Sequence, residues 1–239
     1  VIPARYASTR LPGKPLKDIA GKPMICRVYE RAAKASRVAA AIVATDDSRI
    51  YDAVLQHGGK AVMTRKDHPT GTDRLAEVAE RYPDVDLIIN VQGDEPLIEP
   101  KLIDELAAAF DGDADLQMAT VCTEITDEAE QQNPNNVKVV MDKQGYALYF
   151  SRSLMPYPRH PGTPVYKHIG IYAYKRDFLL AYAKMAETPL EHAESLEQLR
   201  ALENGYRIKV IKTPYRFVGV DTAEDLAKVN AIYRQMMQG

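Results

Sequence analysis

Short apolar runs alternate with stretches of helical periodicity along the first half of this 239-residue chain. A strand is predicted at residues 1–4, and apolar positions then recur at helical spacing in the run PMICRVYERAAKA. Three more strand–helix pairs follow, with strands at 40–45, 61–64 and in VDLIIN, and helices at 48–56, 74–81 and 98–110. Such a succession of β/α units predicts a parallel sheet covered by helices on both faces.

The second half has a different pattern. Polar turns in NPNN and DKQG separate predicted antiparallel strands at 137–141 and 147–150, and MPYPRHPGTP is too rich in proline for a helix or a central strand. HIGIYAY and RIKVIKT are predicted strands, and PLEHAESLEQLRALENGY is a predicted helix that stops at Gly205. The run DTAEDLAKVNAIYRQM predicts a final helix capped by Asp221 or Thr222.

These elements predict an α/β fold with a mostly parallel, Rossmann-like sheet flanked by helices and a mixed α+β insertion in the second half. The chain contains no repeat or low-complexity tract. We therefore expect a single domain over residues 1–239, with the insertion at about 120–205.

Composition limits the partners. The net charge is -2, so no overall attraction to nucleic acid or to an anionic membrane is expected. The longest apolar runs are too short to cross a bilayer, and no signal peptide is visible, which argues against membrane insertion. Cys26 and Cys122 lie far apart in apolar surroundings, and we interpret them as buried thiols in a reducing compartment, the cytoplasm.

The opening segment VIPARYASTRLPGKPL is suited to holding an anion. It combines three cations, Arg5, Arg10 and Lys14, with Ser8 and with Gly13, and backbone N–H groups in such a loop can face a phosphate. The spacing matches neither a Walker loop nor a dinucleotide-binding glycine motif. A solvated basic loop is the alternative interpretation.

Two aspartates follow apolar strands and are candidate Mg²⁺ ligands. Asp94 stands in NVQGDEP and Asp221 in FVGVDTAED, and Mg²⁺ typically takes one or two carboxylates together with substrate phosphates. The alternative for each is a turn or helix cap, which for Asp221 taken alone is the commoner role. Of the histidines, His168 has the position from which a side chain could reach a cleft, and no zinc or serine-hydrolase motif is present.

Seven segments in order resemble one known family. They are IPARYASTRLPGKPL, HPTGTDRLAE, INVQGDEPLI, YFSRSLMPYPR, KHIGIYAY, ESLEQLRALENGYRI and GVDTAEDL. Together they resemble the 3-deoxy-manno-octulosonate cytidylyltransferases, which are nucleotidyltransferases. The opening motif alone would also fit other sugar nucleotidyltransferases, including those that act on sialic acid.

The resemblance implies that CTP and the acidic sugar 3-deoxy-manno-octulosonate (Kdo) become CMP-Kdo and pyrophosphate, for lipopolysaccharide synthesis, in a homodimeric enzyme with Mg²⁺. The implied catalytic residues are Arg10, Lys14, Asp94 and Asp221, the last two as metal ligands. The implied CTP-binding residues are Ala4, Arg5, Ser8, Arg10, Lys14, Thr70, Gly71, Arg74 and Asp94. The implied Kdo-binding residues are Gln92, Arg152, His168, Tyr172, Glu197 and Gln198.

Two alternatives stay open. The same chemistry could act on an amino-substituted Kdo or on a sialic acid, or the chain could be a non-catalytic nucleotide-binding regulator, which would not need two carboxylates beside a triphosphate. For the dimer, we expect pairing through the second-half insertion, where Tyr146, Tyr149, Phe150 and Leu154 offer apolar surface.

Overall fold

The structure, a computed structural model, describes residues 1–7, 10–160, 162–215 and 217–238. The chain separates into two compact units. Unit 1 consists of Val1–Asp104 with Phe217–Gly239, and unit 2 consists of Glu105–Arg216. The single domain expected over residues 1–239 stays a prediction.

The elements are as follows in chain order. Unit 1 contains β1 (Ile2–Ala4), β2 (Asp18–Ile19), β3 (Lys22–Pro23), α1 (Met24–Ala32), β4 (Val43–Thr45), α2 (Ser48–Gln56), β5 (Ala61–Met63), α3 (Gly71–Arg81) and β6 (Leu87–Asn90), and the boundary falls within α4 (Pro100–Ala108). Unit 2 contains β7 (Met118–Ile125), α5 (Glu128–Gln132), β8 (Lys138–Met141), β9 (Ala147–Ser151), β10 (Val165–Lys175), α6 (Arg176–Tyr182), α7 (Pro189–Glu194), α8 (Gln198–Glu203) and β11 (Ile208–Lys212). The chain then returns to unit 1 with α9 (Ala223–Met236).

A parallel sheet forms the centre of unit 1. Strands β1, β4 and β5 pair in that order, with Ile2 opposite Val43 and Val43 opposite Ala61. The start of β1 lies beside β6, because Val91 N–H donates to the Val1 carbonyl at 3.0 Å. The residues of β1 and β4 are mostly buried, as expected for strands covered on both faces, whereas β5 at the end of this order is partly exposed. The predicted parallel α/β arrangement is confirmed.

Helix α3 begins three residues earlier than the apolar pattern predicts. Thr70 and Asp73 form a capping box, in which the Thr70 hydroxyl accepts from Asp73 N–H and the Asp73 carboxylate accepts from Thr70 N–H at 3.1 Å. This reciprocal pair satisfies N–H groups of the first turn and makes Gly71 the first helical residue.

Unit 2 is built on a mixed sheet, as predicted for the insertion. Its strands are hydrogen-bonded in the order β11, β7, β10, β8 and β9. The β11–β7 pair is parallel, and the other pairs are antiparallel. The proline-rich segment that follows β9 contains no helix or strand in its described part, as expected.

The single helix predicted for PLEHAESLEQLRALENGY is wrong. The structure has two helices, α7 and α8, separated at Ser195, whose φ of +51° ends α7. The Arg152 side chain donates to the carbonyls of Glu194, at 2.7 Å, and of Ser195, at 3.3 Å, so these carbonyls are held by a guanidinium at the break. Helices α5 and α6, which the pattern did not indicate, are further differences.

Both cysteines are buried and free, as interpreted from the sequence. Burial raises the pKa of Cys26 to about 11 and that of Cys122 to about 12, so both thiols are protonated at neutral pH. Among the described helices, none combines the length and the apolar character that crossing a bilayer requires.

Candidate active site

The opening loop is shaped by Gly13. This glycine has a φ of +66°, a conformation that glycine adopts without a Cβ penalty, and it begins the 3-10 turn Lys14–Leu16. A Cβ at Gly13 would lie 3.1 Å from the Tyr6 hydroxyl, and the Arg49 guanidinium stacks on the Tyr6 ring at 3.3 Å. The Tyr6 ring, held by Arg49, therefore packs closely against Gly13 and restricts the backbone that leads into Lys14. Ser8, a predicted CTP-binding residue, lies outside the described residues.

Asp94 is delivered to the site by the turn after β6. The preceding residue is Gly93, where a Cβ would lie 2.8 Å from the Pro3 carbonyl oxygen, so only glycine allows the turn to approach β1 this closely. The Asp94 carbonyl accepts from Val220 N–H at 2.9 Å. This bond brings the segment that ends in Asp221 alongside Asp94.

Asp221 is not the cap of α9. Thr222 takes that role, because its hydroxyl accepts from Asp225 N–H at 3.2 Å and the Asp225 carboxylate accepts from Thr222 N–H at 3.1 Å. The Asp221 carboxylate instead pairs with Arg10 at 3.1 Å and with Lys14 at 3.0 Å. Asp221 is therefore part of a charged cluster and not the helix cap, and its role as a metal ligand stays a prediction.

Lys14 joins the two aspartates. Its Nζ lies 2.7 Å from Asp94 Oδ2 and 3.0 Å from Asp221 Oδ1, and its side chain is only 16% exposed. Burial by itself lowers the pKa of Lys14, but the attraction of the two carboxylates outweighs it and holds the pKa above the ordinary value. Lys14 is therefore charged, and it separates two carboxylates that would otherwise repel each other.

These groups line a cavity of about 360 Å³ in unit 1. Its wall includes six of the residues assigned to the site by resemblance, namely Ala4, Arg5, Arg10, Lys14, Asp94 and Asp221, together with Gln92, which was assigned to the sugar. Other residues on the wall are Pro3, Ala7, Pro15 and Gly93. Three cations and two carboxylates around one cavity form a site suited to an anionic ligand with a cation bound to it.

The N-terminus of α3 is tied to this cavity through Arg5. The Arg5 guanidinium donates to the backbone carbonyl of His68 and, at 3.5 Å, to that of Thr70. Thr70 and Gly71, both predicted CTP-binding residues, are the N-cap and the first residue of α3. Neither is part of the cavity wall. Their contact with a nucleotide stays a prediction.

Arg74 lies on the buried face of α3 and has no exposed surface. Its guanidinium donates to the Thr64 hydroxyl and, at 3.3 Å, to Asp46 Oδ2. Burial lowers the pKa of Arg74, and the nearby Arg5 lowers it further, while Asp46 raises it. In this structure Arg74 joins α3 to the ends of β4 and β5, and its predicted contact with CTP is untested.

Arg152 lies in unit 2, and its guanidinium donates hydrogen bonds to backbone carbonyls. Besides the bonds to Glu194 and Ser195, its Nη1 donates to the Pro134 carbonyl at 3.2 Å. A guanidinium has five N–H groups, so two remain for another acceptor such as a sugar carboxylate.

His168 lies on β10 in unit 2 and is half-buried. Its Nε2 lies 3.0 Å from the Thr120 hydroxyl, and its ring packs edge-on against Phe150. Burial lowers the pKa of His168 to about 3, so the ring is neutral and can hydrogen-bond a ligand without supplying charge. The Tyr172 ring lies 5.3 Å from that of His168, and burial raises the pKa of Tyr172 well above 10.

The two remaining predicted sugar-binding residues surround the start of α8. Glu197 is the N-cap residue of α8, and its backbone carbonyl accepts from the Tyr182 hydroxyl at 2.5 Å. Gln198 is 4% exposed, and within the described part of the chain its Nε2 has no hydrogen-bond partner.

Comparison with known proteins places the chain in a family. A family model described as cytidylyltransferase matches residues 1–210. A 3-deoxy-manno-octulosonate cytidylyltransferase from Fusobacterium nucleatum is 58% identical over 230 residues, which cover 96% of this chain and 94% of the relative. One from Geobacter metallireducens is 55% identical, with 96% and 94% covered. The chain belongs to the 3-deoxy-manno-octulosonate cytidylyltransferase family.

Solved structures agree with this family membership. A structure described as CMP:2-keto-3-deoxy-manno-octonic acid synthetase complexed with CTP superimposes with a TM-score of 0.94 at 50% identity, covering 98% of this chain and 97% of the other. A 4-diphosphocytidyl-2C-methyl-D-erythritol synthase from Anaerococcus prevotii has a TM-score of 0.64 at 15% identity, with 98% and 95% covered, and shows a shared fold alone. This member of the family is therefore a nucleotidyltransferase with the predicted α/β fold.

Sequence analysis of this cytidylyltransferase missed several residues that hold the site in place. Asp46 anchors Arg74, Tyr6 packs against Gly13, and His68 is 4% exposed although its neighbours in sequence are mostly polar. The sequence does indicate Asp46, because this residue directly follows the buried strand β4. Tyr6 also contacts Arg49, and His68 contacts Arg5; these partners are distant in sequence, and no local pattern indicates them.

Proposed function

We propose that this chain transfers the cytidylyl group of CTP to Kdo, giving CMP-Kdo and pyrophosphate and so activating the sugar for lipopolysaccharide synthesis. The observation that carries the proposal is the 50% identical synthetase whose structure was solved with CTP, together with curated relatives that bear the Kdo-specific name. The cationic cavity of unit 1 supports it, because a triphosphate is the kind of ligand that Arg5, Arg10 and Lys14 would stabilise.

The cations of the cavity have a defined task in this reaction. The leaving group is pyrophosphate, on which negative charge increases as the bond to the α-phosphorus breaks. Lys14 is held in place by two carboxylates, and Arg10 is paired with Asp221, so both charges are present before the reaction begins. Cations that need no reorganisation stabilise the transition state more than mobile ones do.

The residues also fit a Mg²⁺ ion. Carboxylate oxygens are the ligands this ion prefers, and Asp94 and Asp221 stand side by side, each using one oxygen for Lys14. Among the described residues there is no group of three or more potential metal-binding side chains, so phosphate oxygens and water would complete the coordination. When bound, Mg²⁺ supplies charge neutralisation at the phosphate oxygens and favours deprotonation of the attacking hydroxyl.

Direct attack of the sugar on CTP follows from the residues available. The described wall of the cavity has no serine, cysteine or histidine that could act as a nucleophile. We infer that the anomeric hydroxyl of Kdo attacks the α-phosphorus in line with the departing pyrophosphate. We assign recognition of the sugar to Gln92, Arg152, His168, Tyr172, Glu197 and Gln198, with Arg152 facing the carboxylate.

A matrix of substrates tests the proposed function. Pyrophosphate release is measured with each of four nucleoside triphosphates crossed with Kdo, amino-substituted Kdo and a sialic acid. We expect turnover with CTP and Kdo. Turnover with another acidic sugar but not with Kdo would identify that sugar as the substrate. If CTP releases no pyrophosphate with any of the three sugars, the proposed catalysis is rejected and a nucleotide-binding regulator is favoured.

We further propose that the enzyme is a cytoplasmic homodimer paired through unit 2. Of the expected contact residues, Phe150 is fully buried within unit 2 and is not available. Leu148 and Tyr157 are 63% and 85% exposed and provide apolar surface instead. Sedimentation at micromolar concentration should give twice the chain mass of 26.7 kDa, and a species of the single chain mass would reject the dimer.

A further inference from the structure

The loop between β5 and α3 has an unexpected buried centre. Arg65, Lys66 and Asp67 are exposed, as is usual for such a loop, but the next residue, His68, is 4% exposed. Burying a polar ring in a surface loop is costly unless the ring is hydrogen-bonded. The contacts of His68 therefore indicate what the loop is built to hold.

Glu77, in the second turn of α3, is the group that holds this loop. Its Oε2 accepts from Arg65 N–H at 3.0 Å and pairs with His68 Nε2, while its Oε1 pairs with Arg81. Burial by itself raises the pKa of Glu77, but these donors lower it below the ordinary value, so the carboxylate is charged. The Nδ1 of His68 has no partner among the described residues, so the ring is held through Nε2 alone.

The backbone of the same loop holds Arg5. The carbonyl of His68 accepts from Arg5 Nη2, and the carbonyl of Thr70 lies 3.5 Å from the same atom. Arg5 has an exposed side chain on the wall of the cavity, and it lies near enough to Arg74 to lower the pKa of Arg74. Two like charges repel, so without these carbonyls the Arg5 guanidinium would turn away from Arg74 and into solvent.

We propose that His68 and Glu77 are positioning residues for nucleotide binding. Glu77 fixes the His68 ring, the ring fixes the loop backbone, and the His68 carbonyl aims the Arg5 guanidinium at the cavity. Neither residue needs to touch the nucleotide. The inference rests on the proposed function only in that CTP is the ligand of the cavity, and it does not depend on which sugar accepts the cytidylyl group.

A double-mutant cycle on CTP affinity tests the proposal. Binding is measured by calorimetry without sugar for the wild type, His68→Leu, Arg5→Met and the double variant. Leucine keeps the ring position filled but cannot pair with Glu77. We expect His68→Leu to weaken CTP binding about tenfold, as for loss of one charge-assisted hydrogen bond, and to have no further effect when Arg5→Met is present.

Two further variants separate positioning from general damage to the fold. His68→Gln retains an N–H donor for Glu77 and should restore CTP affinity to within about threefold of the wild type, by the same hydrogen-bond argument. His57→Leu replaces an exposed histidine at the end of α2 and should leave the affinity unchanged. If His68→Leu fails to fold, Glu77→Gln takes its place in the cycle, with the same expected coupling to Arg5→Met.

The outcomes are distinct. Equal loss from His68→Leu in the presence and absence of Arg5→Met, or no loss in either, would overturn the positioning role while the wild type still binds CTP. No binding of CTP by the wild type would overturn both this inference and the proposed function. Binding of CTP without turnover on Kdo would reject only the assignment of Kdo as the sugar. The double-mutant cycle on CTP affinity could still be interpreted, because it contains no sugar.

Discussion

Replacement of Lys14 by methionine would remove the charge that joins the two aspartates. Methionine keeps an unbranched apolar side chain of similar length, so packing along the stem is largely preserved. The change leaves Asp94 and Asp221 facing each other, with the Arg10 guanidinium, 68% exposed, 3.1 Å from Asp221 as the remaining partner. We expect Lys14→Met to destabilise unit 1 when no nucleotide is present.

The magnitude follows from the two contacts. A hydrogen bond to a charged group contributes about 1.5–3 kcal/mol, and the bond to Asp94 is short, at 2.7 Å, and only partly exposed. The bond to Asp221 is longer, and that carboxylate is 43% exposed, so its share is closer to the surface value, below about 1 kcal/mol. Together they give a loss of about 2–3 kcal/mol, or a fall in Tm of about 5–10 °C for a chain of this size.

Divalent cations alone should stabilise Lys14→Met more than they stabilise the wild type. In Lys14→Met the ammonium no longer occupies Asp94 Oδ2, and Asp221 Oδ1 keeps only the exposed Arg10, so Mn²⁺ or Mg²⁺ can bind there and stabilise the folded state by mass action. In the wild type the ammonium competes for the same oxygens. Thermal unfolding with and without each metal, in the absence of CTP, should show a larger rise in Tm for Lys14→Met.

The control is Lys60→Met, which removes an exposed lysine from unit 1 and should match the wild type in both measurements. The reasoning is refuted if Lys14→Met unfolds at the wild-type temperature. It is also refuted if metal alone shifts the Tm of both proteins equally, because the ammonium would then not occupy the place of a cation.

Three other predictions concern the site and the fold. Asp94→Ala and Asp221→Ala should each lower turnover by several orders of magnitude without unfolding the chain, since Asp221 is not the cap of α9; near-normal turnover in either variant would remove it from the site. Arg152→Lys should raise the KM for Kdo far more than that for CTP, by about ten- to a hundredfold, because lysine keeps the charge but loses the planar fork; an unchanged KM for Kdo would mean that other groups hold the carboxylate. Asp104 accepts from the N–H groups of Arg37 and Ser36, at 2.7 and 3.1 Å, and although burial by itself raises its pKa, these donors lower it below the ordinary value of 3.8. The stability that the Asp104 carboxylate contributes is therefore present above pH 3.8 and is lost as the pH falls through the lowered pKa. The difference in Tm between the wild type and Asp104→Asn should be constant above about pH 5 and should disappear below about pH 4. A difference that persists at low pH would contradict this origin.

Local patterns predicted most of the elements. The apolar periodicity of α1, α2 and α9, and the short apolar runs of β1, β4 and β5, are properties of neighbouring residues and are visible in any one segment. The predictions failed where a distant group decides. Ser195 breaks a helix that its own neighbours favour, and the arginine that holds the carbonyls at the break comes from position 152.

The sequence by itself determined that cations gather in the opening loop, that Asp94 and Asp221 each follow an apolar run, and, through seven motifs in order, the family. What it left open was the role of Asp221, because a carboxylate before a helix is equally suited to capping. Only the tertiary structure decided this, since Thr222 takes the cap and the bond from Val220 N–H to the Asp94 carbonyl brings together residues more than a hundred positions apart. Contacts between distant segments depend on how the sheet is assembled, and no local pattern records them.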